Sequence, residues 1–101
     1  MKNLEWSEIT TDAFTWPQGL AYANVTRGDW RLPTLEELTA CFDYELREAK
    51  FEGFNECRIW SSTVHPDIDI DFVWHFNFNN GSIDANHKSD RYFVRLVREE
   101  K

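Results

Sequence analysis

The eight residues Phe72-Val73-Trp74-His75-Phe76-Asn77-Phe78-Asn79 constrain this chain more than any other stretch. Aromatic side chains at 72, 74, 76 and 78 alternate with Val73, His75, Asn77 and Asn79. Successive side chains of an extended backbone point to opposite faces, so this period of two predicts a β-strand with one aromatic face and one mostly polar face. Asn80-Gly81 follows at once. Both residue types tolerate positive φ, and the pair predicts a tight hairpin turn with Ser82 to Asn86 returning alongside. An aromatic sheet face has to be covered by another layer.

The remaining elements follow from local signals. Leu4 and Trp6 alternate with Glu5 and Ser7, a short half-buried strand. Thr15 can cap a helix with Pro17 in its first turn, placing Trp16, Leu20 and Ala23 on one face. Asn24 to Asp29 reads as loop, and Trp30-Arg31-Leu32-Pro33 as extended chain because Leu32 precedes a proline. Thr34-Leu35-Glu36-Glu37 is a capping box, in which the Thr34 hydroxyl and the Glu37 carboxylate each satisfy the other residue's backbone amide. Leu35, Leu38 and Phe42 form the buried stripe of that second helix, and Asp43 to Glu56 continues it for a turn and then loops out. Arg58 to Thr63 and Tyr92 to Val97 are further strands. Helices first and strands after predict an α+β domain, two helices packed on one small twisted antiparallel sheet.

With 101 residues the chain makes a single domain, residues 1–101. Its 42% hydrophobic content, with 16% aromatic, excludes disorder. No run approaches the roughly 18 apolar residues of a membrane span. Met1-Lys2-Asn3-Leu4-Glu5-Trp6 lacks the apolar core of a signal peptide, so a cytoplasmic location is expected, with Cys41 and Cys57 as reduced thiols. The net charge is −7. All of it falls between Asp29 and Asp71, where eleven acidic residues face four basic ones; the rest of the chain carries seven of each. Direct nucleic-acid binding through a basic surface is therefore excluded.

Five segments in order carry a resemblance: Thr15-Trp16, Trp30-Arg31-Leu32-Pro33-Thr34 running into Glu37-Leu38, Trp60-Ser61-Ser62-Thr63, Trp74 to Gly81, and Tyr92 to Arg98. Over roughly residues 4 to 98 the chain resembles the DUF1566 family, the C-terminal domain of Legionella collagen-like proteins. The resemblance implies a C-type-lectin-like fold related to the formylglycine-generating enzyme, with the chain ends close together. It also implies a binding module rather than an enzyme. In plain physical terms Trp30, Leu32, Trp60, Phe76 and Val94 read as core, and Arg31, Arg95 and Arg98 as partners of carboxylates or carbonyls.

No catalytic set is present. His65, His75 and His87 match neither a Ser/His/Asp order nor a zinc-protease spacing, and the isolated glycines form no phosphate loop. Asp67, Asp69 and Asp71 alternate, but Phe72 and Phe78 stand where a calcium loop needs Gly and Glu, so no metal or cofactor is expected. The expected contact residues are Asp67, Asp69 and Asp71 on the Val64–Asp71 loop, the polar row His75, Asn77 and Asn79, and Asn80 at the hairpin tip. Protein–protein recognition is the leading reading. An acidic inhibitor of phage type, imitating nucleic acid in a basic groove, is the second. A lectin-like carbohydrate site with Trp74 as platform is the third. A free sheet edge would also permit a homodimer.

Overall fold

The computed structural model describes residues 3–54, 57–64 and 71–100. In chain order it runs β1 (Leu4–Ile9), α1 (Trp16–Val25), α2 (Leu35–Thr39), β2 (Phe42–Asp43), β3 (Glu48–Ala49), β4 (Arg58–Val64), β5 (Phe72–Asn77), β6 (Ser82–His87) and β7 (Arg95–Glu99). The α+β class is confirmed, but the strands do not form one sheet. Among the described residues they form three antiparallel units, β1-β7, β2-β3 and β4-β5-β6.

The chain ends pair. Leu4 lies opposite Glu99 and Trp6 opposite Val97, with a bulge before Ile9 meets Arg95. Arg31 exchanges both backbone hydrogen bonds with Val97, and Phe14 does so with Tyr92. Phe93 joins this ribbon to the central sheet: its amide donates to the Arg58 carbonyl, and its own carbonyl accepts from Trp60.

The Thr15 cap forms as the sequence predicts and is completed by Gln18, whose side chain accepts from the Thr15 amide at 2.9 Å. The helix runs on to Val25, two residues into the expected loop. Its buried face is Gly19 and Ala23, flanked by Trp16 and Tyr22, while Leu20 is 38% exposed. A Cβ at Gly19 would stand 3.1 Å from Val94, so the close approach of helix and strand selects glycine and rolls Leu20 outward.

The Thr34 capping box also forms, and Arg31 clamps the Glu37 carboxylate through two bonds of 2.7 Å. The guanidinium holds that carboxyl below its ordinary range. Burial follows the predicted stripe at Leu38 and Phe42, but the helix stops at Thr39. Phe42 instead opens the β2–β3 hairpin, a unit the sequence reading assigned to helix and loop.

The central sheet is covered on both faces. Leu38, Phe42, Phe54, Ile59, Phe76 and Phe78 fill one side. Leu32, Trp60, Val73, Val94 and Leu96 fill the other. The predicted polar face of β5 is thus not a solvent face, because the ribbon and α1 close over it. Trp30, expected in the core, is half-buried with the Arg98 guanidinium 4.3 Å above its ring. Among the described residues no helix is long and apolar enough to cross a membrane.

Candidate recognition surface

The β5–β6 connection is built by its asparagines. Asn77 is buried; its backbone carbonyl accepts from Gly81 at 2.7 Å, and its side-chain oxygen accepts from the Asn79 amide at 2.9 Å. The Asn80 side chain accepts from Ser82 at 2.9 Å. Pairing of Asn77 with Ser82 leaves residues 78–81 as a four-residue loop, with positive φ at Gly81 rather than at both Asn80 and Gly81. Asn79 and Asn80 are exposed at the tip.

Gly81 is buried at φ +78°, and a Cβ there would come within 2.7 Å of Phe42 and 2.8 Å of Tyr44. The Tyr44 hydroxyl donates to the Gly81 carbonyl at 3.0 Å. The tip of the β2–β3 hairpin is therefore fastened to the base of the asparagine turn. That neighbouring tip is itself ordered: Asp43 accepts from the amides of Glu45 and Leu46 at 2.9 and 3.1 Å, and Arg47 takes φ +56°. It displays Tyr44 at 52% exposure and Leu46 at 67%, among the charged side chains of Glu45, Arg47 and Glu48. Tyr44 and Leu46 were missed by sequence reading. Two-residue strands leave no periodicity, and only the hydrogen bond to Gly81 reveals their place.

The expected contact residues do not converge. Asp71 is exposed at the start of β5, with Lys88 at 3.8 Å. Asn79 and Asn80 follow its end, and six strand residues separate the two sites by about 20 Å. Asp71 and the Asn80 turn therefore lie at opposite ends of the sheet. Asp67 and Asp69 lie outside the described residues. Among the described residues no three His, Cys, Asp or Glu side chains are grouped to hold a metal ion.

His75 is corrected from surface to interior. It is 1% exposed, stacked 4.3 Å from the Tyr92 ring, with Trp60 edge-on at 6.0 Å. Neither ring nitrogen has a hydrogen-bond partner among the described residues. Burial pushes its pKa down to about 4; Asp84 and Asp90 oppose the shift, and Arg58 adds to it. Neutral at ordinary pH, it serves as packing. Asn77 is likewise a turn-builder and not a contact residue.

Both cysteines are free thiols, pushed up to about 11 by burial, and Cys57 donates to the Phe54 carbonyl at 3.2 Å. Thiols so far from ionisation are poor nucleophiles at neutral pH.

The signature residues thus act together in holding the ribbon, the central sheet and the two turns. The family model for the Lcl C-terminal domain matches residues 1–98. The chain belongs to that family. No curated protein matches it. The aromatic run and the closing Tyr92–Arg98 segment of this Lcl C-terminal domain are the same residues that build its core and its terminal ribbon.

Proposed function

We propose that this Lcl C-terminal domain is a non-enzymatic, C-type-lectin-like module that recognises a protein. The paired tips are its contact surface: Asn79 and Asn80 beside Tyr44 and Leu46. The observation that carries this reading is the bond from Tyr44 to Gly81, which holds an exposed apolar tip against an exposed amide-rich one. Such a pairing offers an aromatic anchor and adaptable polar groups on a pre-ordered scaffold. Membership in a family of C-terminal modules of collagen-like proteins supports the same class. Asp71 belongs to the other end of the central sheet and contributes charge rather than contacts at the tips.

A second reading rests on a different observation, the confinement of the whole net charge of −7 to the stretch from Asp29 to Asp71. It makes the domain an acidic inhibitor that occupies a nucleic-acid groove on its target. Salt separates the two, because a charge mimic weakens steeply as ionic strength rises.

The test is an affinity capture with the native chain and with a Leu46→Arg, Asn80→Arg variant, each at low and high salt. A partner retained at high salt by the native chain and lost by the folded variant supports tip recognition. A partner that keeps its affinity for the variant overturns it. A nucleic-acid-binding partner released by salt from both chains favours mimicry.

A further inference from the structure

A groove of about 690 Å³ runs beside the terminal ribbon, away from both tips, lined by Glu8, Ile9, Thr11, Cys57, Phe93 and Arg95, with Thr10 and Gly53 completing its edge. Its size falls within the roughly 300–1,000 Å³ of small-molecule sites. Ile9, Cys57 and Phe93 give it apolar walls.

Its cation is unlike the other arginines of the terminal ribbon and its neighbourhood. Arg31 clamps Glu37 and Arg98 pairs with Glu5. Arg95 has no carboxylate partner among the described residues. It lies 4.4 Å above the Phe54 ring and 5.6 Å from that of Trp6. Its Nε donates to the Ser7 carbonyl at 2.6 Å and its Nη1 to the Glu52 carbonyl at 3.0 Å, which leaves Nη2 without an acceptor among the described residues. Gly53, at φ +96°, is drawn so close that a Cβ would stand 3.0 Å from the guanidinium carbon and both terminal nitrogens. Burial weakens this group's hold on its proton relative to an ordinary arginine. A fixed, partly desolvated guanidinium met, among the described residues, by carbonyl dipoles and ring faces but by no carboxylate retains a strong demand for an anion, and its planar fork matches a carboxylate.

We infer that the groove binds a monocarboxylate with a compact apolar body, its carboxylate on the free edge of Arg95 and its apolar part against Ile9 and Phe93. Glu8, on the groove wall, repels a second negative charge, so the site selects single carboxylates over polyanions. The inference is independent of the tip surface, since none of the groove residues lies at the tips.

The test is an NMR titration of the full chain with 3-phenylpropionate and with its neutral amide, 3-phenylpropionamide. Saturable shifts at the amides of Thr10, Thr11 and Gly53 and at the Arg95 Nε are expected, with the acid at least about tenfold tighter than the amide. Glu8 is exposed, so E8Q keeps the fold; it should tighten the acid about threefold or more and leave the amide unchanged. Equal affinity for acid and amide, shifts confined to other regions, or no shift at about 20 mM would each overturn the site. An unchanged affinity in folded E8Q would overturn the charge selection.

Discussion

The two faces of the central sheet are both dry but chemically unlike. On one, Phe54 stacks on Phe78 at 4.2 Å, Phe76 lies 4.6 Å from Phe78, and Phe42 closes the pile against Phe76 at 5.6 Å. These rings carry no polar atom. On the other, Trp60, His75 and Tyr92 form an equally close group, with Trp60 and Tyr92 at 4.9 Å, but Trp60 and His75 bring polar atoms inside. The Trp60 indole donates to the Phe14 carbonyl at 2.8 Å. The His75 nitrogens find no partner among the described residues. The first face needs only volume and shape. The second depends on which polar atoms are satisfied and on the protonation state of the one that is not.

Truncation should affect the second face most. Trp60→Ala removes a fully buried ring and one of the two hydrogen bonds that the Phe14 carbonyl accepts, and should cost about 3–5 kcal/mol in urea unfolding. Phe76→Leu, which keeps most of the volume on the apolar face, should cost about 1 kcal/mol. Equal losses for the two would erase the distinction.

Acid should separate the faces further. His75 releases its proton at about 4 in the folded chain, against an ordinary value of 6.5. Between those values the unfolded chain binds more protons, so stability is full above about 6.5, falls as pH drops toward 4 and levels off below. The loss specific to His75 should reach about 3 kcal/mol. It is read as the difference between the native chain and His75→Phe, which has no such titration and should match or exceed native stability at pH 7. Parallel pH profiles would mean that His75 is not dry.

The turn provides a smaller effect. Gly81→Ala combines positive φ with a clash against two rings and should cost about 1–2 kcal/mol, lifting the Tyr44 ring from the asparagine turn. Smallest of all, Asn80→Ser at the exposed tip should shift stability by no more than about 0.5 kcal/mol. A larger loss would make the tip structural and remove it as a free contact surface.

Much of this was legible in the chain. Both helix starts were readable because caps are local, involving residues three positions apart. The β5–β6 pairing was readable because alternation and a turn signal adjoin. The β2–β3 hairpin was not, since two-residue strands have no period and their stability comes from Phe42 packing on Phe76 and Phe78. The site was legible only in part: Asn79 and Asn80 are surface residues as expected, while His75 and Asn77 are interior.

The sequence by itself determined the class of the domain, its helix caps, its longer strands, its family and the uneven placement of its charge. These rest on local spacing and residue type. Only the tertiary structure decided which residues face solvent. A period of two says that Val73, His75 and Asn77 share a face, but not whether another layer covers it. Here the pairing of β1 with β7, distant in sequence, carries Val94, Leu96 and Tyr92 over that face. The same long-range pairing brings Arg95 beside Ile9 and Gly53 and makes the groove. No local signal can contain it, because it is set by contacts between the two ends of the chain.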